Sequence, residues 1–527
     1  MLFNSLPFVC YLVCTLLLYY LIPQKAQWGF LLAASYVFYA IADPRYLIFI
    51  ITTTVSVWFT AIKVERINET QKVYIKEHKS ILSKQDKQEY KNRMKLKRWR
   101  WLLLCLLFNL GILSVTKYTN FVITNVNSLL NGAMTLRHVD IIVPLGISFY
   151  TFQSLGYIID VYRGKQEAQH SIFKFALFVS FFPQLAQGPI SRYSHLAPTL
   201  FAGHRFERKA FSYGVMRILW GYFKKVVIAD RMITGVKTLV TGSQYTGAYV
   251  FCAMLFYAFE LYCDFTGGID ITIGIAEAMG IKVTENFNLP YFSKNIKEYW
   301  NRWHITMGSW FTDYIFYPIS VCGPMLRLSK WSRTHLPKAI GKRVTVYLSC
   351  FAVWLATGIW HGAAWNFVVW GLTNYVVIMA SQELEPLYAR FHGRFHWKGK
   401  PAYEAFQILR TVFLMSAIRM FDCYRDVPLT FKMIWSIFTS FRLSAFFDGS
   451  LLSIGLSASD YAVLTVGFAV VLGVSLIKRR KGSVRDLFYR KPALLFYQIM
   501  AVLLIAILVL GAYGEGYDAS QFIYTQF

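Results

Sequence analysis

Apolar runs of membrane-crossing length recur along the whole chain, near residues 3–22, 28–43, 45–62, 101–117, 140–162, 211–228, 247–265, 344–362, 364–382, 404–421, 460–477 and 492–512, with charged or turn-forming stretches between many of them. Nothing else in the sequence narrows the fold as much. In hydrocarbon a segment must satisfy its own N–H and C=O groups, and for segments this long and this uniformly apolar the helix does so. The expected fold is therefore all-α, a polytopic membrane protein of roughly twelve crossings with re-entrant and interfacial helices among them. Composition agrees, because 527 residues that are 56% hydrophobic and 18% aromatic carry more apolar surface than a soluble multidomain protein has room to bury.

The formal charge of +27 invites a nucleic-acid reading, but the basic residues fall in blocks between apolar runs, as cytoplasmic loops do. Residues 63–100 hold thirteen Lys/Arg against five Asp/Glu, residues 321–343 six against none, and residues 478–491 seven against one. The positive-inside rule puts all three in the cytosol and both termini outside. Within the first block, Tyr74 to Trp99 is expected to form one charged surface helix. Residues 3–22 are too long and too weakly flanked by positive charge for a cleaved leader and are expected to stay as the first span. The eight cysteines are scattered and show no CxxC pair, which supports neither a disulfide framework nor a zinc site.

Three places depart from plain crossings. Phe181-Phe-Pro183-Gln184-Leu-Ala-Gln187-Gly188-Pro189 interrupts an apolar stretch with two prolines and a glycine, so its backbone must line a cavity or pack inside protein. Asp264 and Asp270 flank Gly267-Gly268, where they are candidates either for function or for helix capping. Tyr299 to Tyr317 has a helical pattern with Trp300, His304, Met307 and Phe311 on one face and Arg302, Thr306, Ser309 and Asp313 on another, which predicts one amphipathic helix at the interface or at a cavity floor.

His361, in Thr357-Gly-Ile-Trp-His361-Gly-Ala-Ala-Trp-Asn366, puts a titratable group in an apolar run, which marks a candidate functional site. Of the ten histidines, only His304 shares that aromatic, helix-like setting. The structural alternative is an imidazole satisfied by a nearby carbonyl or hydroxyl. Gly358 and Gly362 have the spacing of a close helix contact.

At these residues the chain resembles the membrane-bound O-acyltransferase (MBOAT) family. The resemblance is carried by Trp300-Asn-Arg-Trp-His304-Ile-Thr with Trp310-Phe-Thr-Asp313-Tyr314, by Thr357-Gly-Ile-Trp-His361-Gly, by Phe181-Phe-Pro183 through Arg192, and by Asn286-Phe-Asn-Leu-Pro290. It extends over nearly the whole chain and is close to the bacterial branch that holds the membrane subunits of alginate and peptidoglycan O-acetylation and of teichoic-acid D-alanylation. Thr312, and Ile319-Ser-Val-Cys-Gly-Pro, depart from the alginate-type pattern; they bear on acceptor and partner rather than on reaction class.

The resemblance implies one MBOAT-like domain over 1–527 around a central cavity, with a basic cytoplasmic segment at 63–100, the histidine region at 281–382, and the last crossing with an extracytoplasmic acyl-carrier tail at 492–527. It implies acetyl-CoA as co-substrate, with no metal, and a multi-pass protein of the bacterial cell membrane. The acetyl group would pass to Tyr524 in the aromatic tail, then to an extracytoplasmic partner of the SGNH-hydrolase type that modifies a cell-surface glycan. His361 is the candidate base, because a neutral imidazole can take the proton of a hydroxyl as it attacks a thioester. His304 would orient the donor carbonyl, stabilise the oxyanion or assist proton transfer. Trp300, Trp303, Trp360, Asn366 and Gln187 are the candidate substrate-binding residues. The alternatives are D-alanyl transfer to teichoic acid and a transporter or exporter without chemistry of its own.

Overall fold

The computed structural model describes residues 3–130 and 135–513, and among them the regular structure is helical, the one β pairing being an isolated bridge between Phe287 and Trp303. A helix covers all or most of each apolar run expected to cross. Among the described residues, six helices are long and apolar enough to span by length and composition: Tyr46–Glu77, Lys84–Leu129, Ala248–Ala278, Val344–His361, Ala458–Lys481 and Ala493–Leu510. The chain divides into two compact units, Met1–Phe211 with Ile275–Thr284 and Ser212–Gly274 with Glu285–Phe527.

In the first unit the basic segment differs from expectation. No single helix runs from Tyr74 to Trp99. Instead the helices Tyr46–Glu77 and Lys84–Leu129 continue well past their apolar parts and are joined by a turn, where Ser83 caps the second helix through a reciprocal box with Asp86. At a rise of about 1.5 Å per residue, the second of these, 46 residues long, exceeds a hydrocarbon core of about 30 Å by more than a factor of two. Much of the excess is the Lys/Arg-rich end, Lys84 to Arg100, whose charged side chains favour water, and the rest runs past the apolar part to Leu129. Between the two helices Tyr74 stacks on Tyr90, with ring centres 4.2 Å apart, and Arg98 bonds Asn68.

The irregular stretch behaves as its prolines and glycine require. Helix Phe182–Gln187 stops before Gly188, and the chain is extended through Pro189 to Arg192. Protein groups replace the missing helical bonds: Gln184 Nε2 donates to Pro189 O at 3.1 Å and to Ser191 Oγ at 2.6 Å, while Phe182 N donates to Ser35 Oγ at 3.1 Å. A side chain at Gly188 would meet the Gln184 Cα at 2.4 Å, so only glycine permits this bend.

In the second unit, helix Ala248–Ala278 passes unbroken through Gly267-Gly268, which removes the capping role considered for Asp264 and Asp270. The glycines serve helix contact instead. A Cβ on Gly267 would lie 2.9 Å from Gly221 O, and one on Gly274 would lie 2.8 Å from Gly214 O, on the helix Arg208–Tyr222. Past that contact the second helix continues as a π-helical turn, Phe223–Ala229, in which every residue is buried, Lys224 and Lys225 included. The acids are their partners. Lys225 Nζ lies 2.6 Å from Asp264 and 2.7 Å from Asp230, and Lys224 Nζ lies 2.7 Å from Asp270, which also takes Arg217 Nε at 2.8 Å.

Candidate active site

The segment expected to be one helix from Tyr299 to Tyr317 is interrupted at its centre. Helix Ile296–Arg302 ends, Trp303 is extended, His304 adopts the left-handed region at φ 49°, and a new helix runs Ile305–Phe311. The cause lies outside the segment. Asn288 N donates to Arg302 O at 2.9 Å and Ile305 N donates to Asn286 O at 3.0 Å, so an extended strip of chain replaces the helical bonds across the break. A non-glycine residue in this conformation costs about 1 kcal/mol or more. The turn makes His304 the residue that opens the second helix and leaves it 1% exposed.

Asn286 fixes the state of the His304 ring. Its Oδ1 receives Thr306 N at 3.1 Å and Thr306 Oγ at 2.9 Å, and it lies 3.2 Å from His304 Nδ1. A backbone N–H can only donate, so the amide atom facing Thr306 is the oxygen, and Nδ1 must carry a proton to bond it. The lone pair is then on Nε2. Burial pushes the His304 imidazole down to about 3, and the charge of Arg419 acts in the same direction. The ring is therefore neutral at physiological pH.

His361 is the last residue of helix Val344–His361, so its ring leaves the helix just where the backbone turns at Gly362. Close packing with helix Trp365–Glu383 holds it there: a Cβ on Gly358 would meet Phe367 O at 2.6 Å, and one on Gly371 would meet Gly358 Cα at 3.1 Å. The Gly358 spacing noted in the sequence thus serves this contact. Gly358→Ala is expected to force the two helices apart, lower stability by about 1–3 kcal/mol and misplace His361. Thermal melting of the detergent-solubilised protein checks it, and an unchanged midpoint would show that the contact yields easily.

The two imidazoles share a neighbour. The indole of Trp360 has its centre 6.0 Å from the His304 ring and 5.1 Å from the His361 ring. His361 also packs on Trp370 at 4.4 Å, and Trp370 meets Trp300 at 5.8 Å. Trp300, Trp303 and Trp360 thus gather with both histidines. Asn366 is buried on the adjoining helix, where its Nδ2 donates to Phe421 O at 3.1 Å. Gln187 is buried in the first unit, and Tyr524 lies outside the described residues.

Three members of this cluster, Trp370, Arg419 and Asp422, are not singled out from the sequence, and Asn286 stands there only at the head of the Asn286-Phe-Asn-Leu-Pro290 motif with no role assigned. Arg419 is 5% exposed, and its guanidinium lies over the rings of Trp303, Trp370 and Trp300 at 4.9, 5.2 and 5.6 Å. The signal was present, because Arg419 stands inside an apolar run as His361 does.

Beside the histidine turn, a cavity of about 960 Å³ is lined by Arg302 and Ile305, which flank the Trp303–His304 pair, and by Lys478, Arg479 and Arg485 from the third basic block. With Arg217, its lining has five basic side chains against two acidic ones, Asp270 and Glu285. Arg217 bonds both of these acids, at 2.8 and 2.6 Å. Arg302 and Arg479 pair with Glu298 and Glu404 outside the lining, at 2.6 and 3.6 Å, and the smaller basic excess that is left, with Lys478 and Arg485, suits a phosphate-bearing ligand.

The geometry thus brings a buried pair of histidines beside a cavity with basic walls. Residues 165–423 match the model of the MBOAT, membrane-bound O-acyltransferase family, so the chain carries an MBOAT domain and is a multi-pass membrane protein. Both histidines, the four tryptophans and Arg419 fall inside the match. The chain is 34% identical over 364 residues to the probable alginate O-acetylase AlgI of Pseudomonas syringae pv. tomato, covering 67% of this chain and 61% of that one. It is 30% identical over 391 residues to the peptidoglycan O-acetyltransferase of Helicobacter pylori, covering 69% and 66% respectively. Against the teichoic acid D-alanyltransferase of Bacillus subtilis it is 31% identical over 247 residues, 44% of this chain and 58% of that one. The match thus spans about three fifths of the length of the first of these relatives.

Proposed function

We propose that this protein is an O-acetyltransferase that takes acetyl from acetyl-CoA on the cytosolic side and passes it outward, through Tyr524, to an SGNH-type partner that O-acetylates a cell-surface polysaccharide. The observation that carries the proposal is the joining of His304 and His361 through Trp360, next to a cavity with basic walls. The donor's phosphates would sit among Lys478, Arg479 and Arg485, and its thioester would reach past Ile305 toward the histidines. A hydroxyl is a poor nucleophile until its proton is taken during attack, and the His361 imidazole is suited to take it. His304, held in one tautomer by Asn286, orients the donor or assists the proton's return to the leaving thiolate.

The names of the first two relatives support acetyl as the group and a glycan as the final acceptor. The third supports a second reading, D-alanyl transfer to teichoic acid. Purified protein given acetyl-CoA labelled in the acetyl group separates them. Release of CoA with label retained on Tyr524 is expected, and Tyr524→Phe is expected to abolish the label and the acetylation of isolated surface polymer while leaving the protein folded. Polymer acetylation at the wild-type level in that variant would remove the tyrosine relay. Transfer from a D-alanyl thioester, with none from acetyl-CoA, would favour the second reading.

A further inference from the structure

Arg419 is only partly bound. Its Nη1 donates to Asp422 Oδ2 at 3.3 Å, whereas Nε and Nη2 are buried with no hydrogen-bond partner among the described residues. Those two N–H groups form the side-on fork of a guanidinium, two parallel donors that suit one anionic oxygen or a carboxylate. Leaving charged donors without a protein partner in a buried site is costly, which makes the fork a receptor for a polar group that enters it. The surroundings are those of the histidine cluster. The guanidinium covers Trp370, which packs on His361, and the Tyr299 hydroxyl lies near enough to interact with it both as a charge and as a weak hydrogen-bond partner. The indole Nε1 atoms of Trp300 and Trp370 and the Asn366 Oδ1 are also buried without partners among the described residues.

We infer that the Nε–Nη2 edge of Arg419 receives the acyl oxygen and is a catalytic donor that stabilises the oxyanion of acyl transfer. The inference rests on the acetyl-CoA reading above. In the step, the acceptor oxygen bonds the thioester carbon as His361 takes its proton, and the carbonyl π pair moves onto the oxygen held by Arg419. Collapse of that oxyanion restores the C=O, breaks the C–S bond and releases the thiolate, which takes the proton back from the imidazolium.

The test uses the full chain in detergent. Arg419→Lys keeps the charge and loses the fork; kcat is expected to fall by about 100-fold or more, with the KM for acetyl-CoA within about threefold of wild type and an unchanged melting midpoint. A folded variant with kcat within about threefold of wild type would overturn the inference. A second measurement needs no variant. S-carboxymethyl-CoA, whose carboxylate stands in for the oxyanion, is expected to bind the wild type about tenfold or more tighter than neutral S-ethyl-CoA. Equal binding of the two would overturn the role of Arg419 and leave acetyl transfer standing. No binding of either would overturn the acetyl-CoA reading and this inference with it.

Discussion

Replacing His361 by Gln is expected to slow acyl transfer by about 10²–10⁴-fold without unfolding the protein. Glutamine approximates the volume and polarity of the imidazole at the end of helix Val344–His361, and the contacts that place the helix end are made by Gly358 and Gly371 rather than by the ring. What glutamine lacks is a nitrogen that can take a proton and give it back. The cavity that would hold the donor is lined by other residues, so KM for acetyl-CoA should move little while kcat falls. CoA thiol release by purified protein measures both constants. A variant with kcat within about threefold of wild type would remove His361 from the chemistry.

The largest effect on stability is expected from Lys225→Ala. Lys225 and Asp264 are each 1% exposed, and Asp230 closes the group from the other side. Removing the lysine leaves two carboxylates buried without their common cation, at a cost of about 3–5 kcal/mol. Loss of monodisperse protein on heating in detergent checks the direction. Replacing Lys225, Asp230 and Asp264 together by Met, Leu and Leu should recover part of the loss, since the two stranded carboxylates are then gone and only the buried Glu260, which interacts with all three, remains. A Lys225→Ala protein as heat-resistant as wild type would show that the group is hydrated rather than buried.

The features visible in the sequence and those hidden from it differ in physical origin. Apolar length and loop charge are local properties, and a helix stands in each run they marked. The histidines were visible for the same reason, each being a polar group in an apolar or aromatic setting. The break at Trp303–His304 was not, because it is imposed by Asn286 and Asn288, some fifteen residues upstream, against a local pattern that favours a continuous helix. Asp264 and Asp270 looked like caps because their partners, Lys224, Lys225 and Arg217, stand on another helix that the π turn rotates toward them. Arg419 carries the same local signal, a charge inside an apolar run, but only the packed structure reveals the three indoles around it.

The link between the basic cavity and the histidine pair is tested most directly by an electron cryomicroscopy structure of the full chain with CoA bound. The pyrophosphate and 3′-phosphate should lie among Lys478, Arg479 and Arg485, with the pantetheine arm passing Ile305 and its thiol beside Trp360, between His304 and His361. CoA bound outside this cavity, or with its thiol directed away from both imidazoles, would contradict the proposed transfer site.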